Sequence, residues 1–391
     1  MKTRLGIAGV PSDVDAVERI GAVLGVSLVY LLETGAAIDA LPTDAEIYFG
    51  GFEDIADWKD DLKSLALSGL WVAEDTYRKS MDLVASYFHW PHLPCPEPAP
   101  DGCCLVPEAK VYTVDALSTL AGHGGEGMPV PAWVRASCGD GDMSCMRVEH
   151  PGDLSLALEK LRKRSPDGVL RVQPSIVGTI YRLMAFKTGY EIIPFDLMGE
   201  TVTSSVYRVP LGLTMPVPRR GALFDECIAQ AHGVNKALPP GWGYLELEFV
   251  VADGAIHLTD IQAPARLRED VRVVACLSQG VDLLRAAMEC ALGRRPSLTP
   301  TRETGAALSW MLTRSGIVNG IEGAEVARNC PGVVDVHLNA KEGDILSHVV
   351  DLPSRERGGY IVTKGPTGEV AKERLDTARE QIRINTSIAL S

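Results

Sequence analysis

The chain has 391 residues, a length that predicts two to three domains. Hydrophobic residues make up 46% and charged residues 23%, which indicates a folded globular protein and excludes long disorder. The formal net charge of −13 argues against binding a nucleic-acid backbone across the whole surface. A local basic pocket for one nucleotide remains compatible with this charge.

The sequence gives no sign of a membrane span or a signal peptide. The longest apolar run, near residues 20–32, is interrupted by glycines and is too short to cross a bilayer. The first ten residues are typical of a β-strand rather than a signal sequence. The nine cysteines are odd in number and lack CxxC spacing, which favours reduced thiols. We therefore expect a cytoplasmic protein with no membrane partner.

The N-terminal part alternates short apolar strands with helical stretches. Asp13 is placed to cap a helix over residues 14–24. Strands are predicted at 4–10, 26–32, 46–50 and 70–73. Strands separated by helices indicate a parallel sheet covered by helices. This unit of about 75 residues is predicted to be a small α/β domain.

A proline-rich tract at residues 91–100 cannot be helical and predicts a stiff connection. The segments that follow alternate between strand and helix patterns. Strands are predicted at 131–136, 145–148, 168–172, 179–186, 333–338 and 360–364, an irregular strand-rich stretch up to 217, and helices at 153–164, 222–238, 271–292 and 368–383. These patterns predict an α+β central part.

The most informative segment is a predicted hairpin, with strands 244–251 and 256–262. A three-residue loop at 253–255 would set Glu248 opposite Asp260 and Glu246 opposite Gln262, all on one face. Facing carboxylates repel and raise each other's pKa unless a cation lies between them. Oxygen ligands of this kind suit Mg²⁺. The alternative is a solvated strand face, which is normal for an antiparallel hairpin.

A second segment carries a weaker signal for phosphate binding. The predicted strand at 131–136 contains Arg135 and leads into a loop that contains Gly139, Gly141 and Ser144. Backbone N–H groups in such a loop can bind phosphate. Glycine-containing turns are also common in ordinary hairpins, so this segment alone does not identify a site.

Several segments follow one another in a recognisable order. They are 78–82 with 93–96, 132–135, 172–178, 247–266, and the glycine-containing segments 316–320, 331–334 and 365–371. The ordered set resembles the ATP-grasp superfamily, and within it the carboxylate–amine ligases that include L-amino-acid ligases and biotin-carboxylase-like enzymes. The resemblance implies an ATP-grasp fold, α/β with an α+β central part. It divides the chain into an N-terminal α/β domain (1–90), an ATP-grasp domain (91–295, with subdomains 105–172 and 173–295) and a C-terminal lobe (296–391).

The resemblance also implies roles for individual residues and identifies the ligands. ATP would lie between two sheets of the central domain. The implied nucleotide contacts are Lys79, Arg135, Gly139, Gly141, Ser144, Gln173 and Ile176, and the implied Mg²⁺ ligands are Glu248, Asp260 and Gln262. Arg266 would anchor an acyl phosphate or a substrate carboxylate. The expected partners are small-molecule carboxylate and amine substrates and no nucleic acid, with a homodimer as the candidate assembly.

Four positions depart from the family pattern. Arg135 stands where the family has lysine, Gln173 and Asp260 where it has glutamate, and Gln262 where it has asparagine. The leading interpretation is an ATP-dependent ligase that joins a carboxylate to an amine through an acyl phosphate. The four departures motivate a second interpretation. In this one the chain is a catalytically weakened ATP-grasp protein that binds a nucleotide or small molecule without turnover. A third interpretation is a Rossmann oxidoreductase, but the sequence lacks the dinucleotide fingerprint of that class.

Overall fold

The computed structural model describes residues 3–33, 36–50, 62–73, 84–93, 106–107, 109–125, 127–136, 145–165, 168–217 and 221–387. The strands are β1 (Thr3–Ala8), β2 (Val26–Glu33), β3 (Glu46–Gly50), β4 (Gly69–Val72), β5 (Lys110–Thr113), β6 (Ala132–Ala136), β7 (Cys145–Val148), β8 (Val169–Pro174), β9 (Thr179–Gly189), β10 (Glu191–Val202), β11 (Pro210–Met215), β12 (Gly241–Ala252), β13 (Ala255–Gln262), β14 (Gly305–Trp310), β15 (Gly316–Glu322), β16 (Val333–His337), β17 (Ile345–Leu346), β18 (Tyr360–Gly365) and β19 (Arg383–Ser387). The helices are α1 (Val14–Leu24), α2 (Val114–Gly122), α3 (Leu154–Leu161), α4 (Ala222–Asn235), α5 (Glu269–Gln279), α6 (Leu283–Ala291), α7 (Ala324–Arg328), α8 (Leu352–Glu356) and α9 (Gly368–Gln381).

The N-terminal unit is the parallel sheet that the sequence predicts, with strand order β3–β2–β1–β4. Helix α1 begins where the Asp13 side chain accepts a hydrogen bond from the Ala16 backbone N–H, and it ends at Gly25 in the left-handed region. Both ends of the predicted helix are therefore confirmed, because an N-cap carboxylate and a glycine after the last turn fix them locally.

In the rest of the described residues, the strands form three antiparallel sheets. The small sheet has the order β5–β8–β6–β7, and the large sheet has the order β13–β12–β9–β10–β11–β14–β18–β16. A third sheet, β17–β15–β19, belongs to the C-terminal part. The stretch up to residue 217, which the sequence indicates only as irregular and strand-rich, forms the long strand β10 and then β11. The pairing of β5 with β8, and helix α2, were not predicted from the sequence.

Helices cover both faces of the large sheet and join it to the N-terminal unit. Helices α5 and α6 pack on one face, and α4 packs on the other. Helix α6 also contributes Leu284, Met288 and Ala291 to the core of the N-terminal sheet. Gly69 permits this contact, because a Cβ atom there would lie 1.9 Å from the Ala291 carbonyl oxygen. The N-terminal unit is thereby packed against the central part.

None of the helices within the described ranges has the length and hydropathy needed to cross a membrane. The mixed α/β class, with one parallel and several antiparallel sheets, agrees with the prediction. The domain boundaries at residues 90 and 295 remain a prediction, since α6 shares a core with the N-terminal sheet.

Candidate functional site

The small sheet has one apolar and one polar face. Residues such as Val134 and Leu170 pack with α2 and α3. Period-two alternation places Trp133, Arg135 and Arg171 on the opposite face, with Arg135 directly beside Arg171 in the β6–β8 register. This polar face turns toward one end of the large sheet, because Arg135 forms a hydrogen bond of 3.1 Å to Asp260 on β13. We call the space between the two sheets the cleft.

The β12–β13 hairpin supplies the opposite wall of the cleft. Glu248 pairs with Asp260 and Glu246 pairs with Gln262, as the sequence predicts. The predicted three-residue loop is wrong, because Ala252 pairs with Ala255 around a two-residue turn. Asp253 and Gly254 both have positive φ, which is typical of a type I′ turn.

A β-bulge restores the predicted register. Phe249 pairs with Leu258 and Glu248 pairs with Asp260, so Thr259 is the additional residue on β13. The Thr259 hydroxyl donates a 2.6 Å hydrogen bond to Glu248 Oε1. The bulge therefore both aligns the two carboxylates and adds a donor to one of them.

Glu248 and Asp260 are buried and bind arginine side chains, so the solvated-face interpretation is wrong. Glu248 is 3% and Asp260 5% exposed. Asp260 accepts hydrogen bonds from Arg135 and from Arg171. Glu248 accepts one of 2.7 Å from Arg208. The cations that separate the facing carboxylates are guanidinium groups.

Arg182 on β9 connects this pair to two further carboxylates. Its distances to carboxylate oxygens are 2.6 Å to Glu200, 3.0 Å to Glu246 and 3.4 Å to Glu248. Arg268 lies 3.0 Å from the second oxygen of Glu200. We call the combined set the arginine–carboxylate cluster. Its members are Arg135, Arg171, Arg182, Arg208, Arg268, Glu200, Glu246, Glu248 and Asp260.

Arginines keep the buried carboxylates of Glu200 and Asp260 ionised. Burial raises the pKa of Glu200, but Arg182 and Arg268 outweigh this effect and lower the pKa to about 2. Burial likewise raises the pKa of Asp260, and Arg135 and Arg171 bring it well below its usual range. Burial lowers the pKa of Arg182, but the carboxylates that surround it raise it further above the usual range. The pKa values of Glu200, Asp260 and Arg182 therefore keep these three groups charged at neutral pH.

A cavity of about 490 Å³ lies next to the cluster. The turn after β1, the segment 266–273 and the C-terminal part of the chain line it. Arg266 and Arg268 are both on its wall, so Arg268 joins the cavity to Glu200 in the cluster. Arg355 also lines the cavity, and it lies 4.2 Å from the centre of the Trp310 ring and 3.1 Å from Asp270.

Comparisons with known proteins agree with this architecture. The crystal structure of L-amino acid ligase from Bacillus licheniformis superimposes with a TM-score of 0.71 at 14% identity, covering 99% of this chain and 100% of that one. Carboxyaminoimidazole ribonucleotide synthase from Aspergillus clavatus, solved in complex with ATP, gives a TM-score of 0.66 at 14% identity and covers 98% and 99% of the two chains. This chain has the same fold as these two enzymes. Its predicted fold class is confirmed.

Sequence comparison adds a match at the C-terminal end of the chain. Residues 310–387 match the family model for the L-amino acid ligase C-terminal domain 2. An uncharacterised protein, y4rH, from Sinorhizobium fredii is 26% identical over 171 residues. That match covers 44% of this chain and 35% of the relative, so it spans about a third of the curated protein's length.

The structure places five of the predicted residues on strands that face the cleft: Arg135, Gln173, Glu248, Asp260 and Gln262. Gln173 lies on β8 beside Trp133, is buried, and leaves its Oε1 atom without a hydrogen-bond partner. Ile176 follows in the connection from β8 to β9. Gln262 donates a 3.3 Å hydrogen bond to Asp260. Arg266 lies apart from these, on the wall of the cavity. Lys79, Gly139, Gly141 and Ser144 lie outside the described residues.

The predicted Mg²⁺ ligands are oxygen donors of the right kind, but arginine side chains bind the two carboxylates. Two carboxylates and an amide on one hairpin face offer the oxygen donors that Mg²⁺ prefers. Asp260 and Glu248 each have a guanidinium nitrogen within 3.4 Å of both their carboxylate oxygens. In the described part of the chain, no three His, Cys, Asp or Glu side chains come together as a metal site would require. These residues fit the cation once the arginines have moved.

Five charged members of the cluster were not predicted from the sequence: Arg171, Arg182, Arg208, Arg268 and Glu200. Arg171 could have been found, because it is two residues before Gln173 and so shares its strand face. Arg182 and Glu200 required the β9–β10–β12 pairing, which brings together residues far apart in sequence. Arg208 lies between β10 and β11, where no periodic signal exists.

Proposed function

We propose that this protein is an ATP-dependent ligase that joins a carboxylate to an amine through an acyl phosphate, acting on amino-acid-like small molecules in the cytoplasm. One observation carries the proposal. The arginine–carboxylate cluster is continuous with the 490 Å³ cavity through Arg268, which pairs with Glu200 and lines the cavity wall. A phosphate group held by the cluster would therefore lie next to a substrate held in the cavity.

The nucleotide would occupy the cleft with its adenine near Gln173 and Ile176 and its phosphates near Arg135. Lys79 and the loop with Gly139, Gly141 and Ser144 belong to the proposed site by resemblance. Glu248, Asp260 and Gln262 would hold Mg²⁺, which neutralises charge on the β- and γ-phosphates.

Two balanced steps follow. A carboxylate oxygen of the first substrate attacks the γ-phosphorus, the bond from that phosphorus to the bridging oxygen breaks, and ADP leaves. The amine nitrogen of the second substrate attacks the acyl carbon of the resulting acyl phosphate. Phosphate leaves with the bonding electrons and the nitrogen loses a proton, giving an amide. Arg266 would bind the substrate carboxylate or the acyl phosphate, for which a planar guanidinium is well suited.

Hydroxylamine trapping tests the acyl phosphate without knowledge of the amine. The protein is incubated with Mg²⁺, ATP and hydroxylamine against a panel of amino acids, and ADP and hydroxamate are measured. We expect hydroxamate in amounts equal to ADP for a subset of the panel. The Arg266→Gln variant should lower kcat/KM by roughly 10–100-fold, the range for a lost charged hydrogen bond. Arg295→Gln is the matched control, because Arg295 is exposed and pairs with the exposed Glu191 at the surface.

The second candidate, a nucleotide-binding protein without turnover, is favoured by the arginines on Glu248 and Asp260. The same assay separates the two functions. Binding of ATP with no ADP and no hydroxamate across the panel would support the second candidate and reject the ligase.

A further inference from the structure

We propose that Arg135, Arg171 and Arg208 form the polyphosphate-binding subsite of the cleft, and that a polyphosphate must draw them from Glu248 and Asp260 before these carboxylates can bind a divalent cation. The inference rests on the proposed nucleotide function. It adds two phosphate-binding residues, Arg171 and Arg208, and an order of binding.

Two positive charges lie side by side on the polar face of the small sheet. Arg135 and Arg171 are paired across adjacent strands on the same face. Like charges placed directly opposite each other in a sheet are destabilising. Asp260 lies between them and binds both guanidiniums, one through each carboxylate oxygen. Asp260 therefore occupies the place of a bridging anion, which a phosphate could also fill.

The third guanidinium reaches the same place from a different element. Arg208 follows β10 in a segment that is attached to the small sheet, where the Arg147 N–H donates a 2.8 Å hydrogen bond to the Val206 carbonyl oxygen. Its guanidinium lies 5.7 Å from the centre of the Trp133 ring and 2.7 Å from Glu248. Three guanidiniums from separate elements thus converge on two carboxylates.

The arginines offer more donors than the carboxylates accept. Arg135 is nine-tenths buried, and neither its Nε nor its Nη2 has a hydrogen-bond partner. The Nε of Arg171 is also buried and without a partner. An unsatisfied buried donor is destabilising, because it has lost its hydrogen bonds to water without gaining a partner in the protein. A polyphosphate brings several oxygens and would satisfy these donors, whereas two carboxylates do not.

The net charge of the site favours a polyphosphate over a divalent cation as the first ligand. Three guanidiniums face two carboxylates, so these five side chains have a net charge of +1. The neighbouring members of the cluster, Arg182 and Arg268 with Glu200 and Glu246, add no net charge. A divalent cation entering first would meet a positively charged site, whereas a polyphosphate would meet an attractive one. After these three arginines have turned to phosphate, both oxygens of Asp260 and one oxygen of Glu248 are left for the cation, while Arg182 keeps its contact with the other oxygen of Glu248.

Electron paramagnetic resonance of Mn²⁺ tests the order without measuring catalysis. The full chain is titrated with MnCl₂ alone, with MnCl₂ plus ATP, and with MnCl₂ plus AMP. Inorganic tripolyphosphate without metal is titrated separately by calorimetry. We expect tripolyphosphate to bind without metal, and protein-bound Mn²⁺ to appear with ATP but not with AMP or alone. Glu248→Gln should reduce the Mn²⁺ bound in the presence of ATP.

Two variants assign the arginines. Arg171→Gln and Arg208→Gln should each weaken tripolyphosphate binding by more than about tenfold, as expected for a lost charged hydrogen bond. Arg171→Lys should restore part of the affinity, which shows that the loss is not due to misfolding. Arg295→Gln should bind like the wild type.

The results distinguish failure of the inference from failure of the proposed function. Mn²⁺ that binds without nucleotide and is lost in Glu248→Gln would overturn the binding order. Wild-type tripolyphosphate affinity in both Arg171→Gln and Arg208→Gln would overturn the subsite. Either result can occur with full hydroxamate formation, in which case the ligase proposal stands. Absence of both ATP binding and hydroxamate would instead reject the function on which the inference rests.

Discussion

The same face of the large sheet is apolar at one end and charged at the other, and the change occurs within two residues of one strand. On β9, Met184 and Phe186 are buried in the core beneath α5 and α6. Arg182, the preceding residue on that face, is equally enclosed but contacts three carboxylates. Helices cover the apolar end and the polar face of the small sheet covers the charged end. Burial alone therefore does not show that a residue belongs to the hydrophobic core. The element that covers a sheet face determines whether its buried side chains are apolar or charged.

Removing Arg182 should give the largest loss of stability. Arg182→Met leaves Glu200, Glu246 and Glu248 without the guanidinium they share. Breaking a buried pair on one side costs about 3–5 kcal/mol, because a charge stays buried without a partner. Urea denaturation measures this loss. The surface variant Arg295→Met should keep the wild-type midpoint, and an equally unperturbed Arg182→Met would show that the cluster does not stabilise the fold.

Truncating Met184, the neighbouring core residue, should lower the free energy of unfolding by about as much as removing Arg182 or by less, and for a different reason. Met184→Ala removes a fully buried side chain from beneath the helices, at a cost of about 2–5 kcal/mol. The loss should be independent of pH, whereas the loss in Arg182→Met should shrink in acid as the carboxylates become protonated. Leu156, which is 54% exposed on α3, provides the control, and Leu156→Ala should stay within about 0.5 kcal/mol of wild type. A pH-dependent Met184→Ala effect would remove the distinction between the two ends.

Acid titration should sharpen the comparison further. The pKa of Glu200 is lowered from its ordinary value of 4.5 to about 2 by Arg182 and Arg268, against the opposing effect of burial. A depressed pKa contributes stability that is present above pH 4.5 and is lost as the pH falls toward 2. The free energy of unfolding of the wild type should therefore decrease over this range. Glu200→Gln should be less stable at neutral pH and show a shallower slope in acid, whereas Glu325→Gln, an exposed surface variant, should keep the wild-type slope.

The parts of the fold that local chemistry determines could be predicted from the sequence. Asp13 and Gly25 define the ends of α1 through contacts within a few residues. The facing of Glu248 and Asp260 was predicted correctly although the loop was not, because the bulge at Thr259 adds the residue that the shorter turn removes. A three-residue loop without a bulge and a two-residue turn with a bulge give the same pairing of Glu248 with Asp260. The alternation of the strands therefore does not distinguish between them.

The rest of the site depends on contacts between distant parts of the chain. The sequence predicted that a cation separates the facing carboxylates, and the structure places arginines there from β6, β8, β9 and the segment after β10. The cavity is likewise lined by distant parts of the chain, namely the turn after β1, segment 266–273 and the C-terminal part. Such placements follow from the packing of sheets and helices and not from periodicity.

The direct test of the account is calorimetric titration of Mg²⁺ with ATP into the wild type and into Glu248→Gln. The apo stability of Glu248→Gln should fall, because Arg208 and Arg182 lose a buried partner; relief of carboxylate repulsion alone would have raised it. We predict one nucleotide site in the wild type and an affinity at least roughly tenfold weaker in Glu248→Gln, with Glu325→Gln as an unchanged control. Equal affinities in the wild type and Glu248→Gln, or no binding by the wild type, would contradict the assignment of the charged end of the sheet to a nucleotide and its metal.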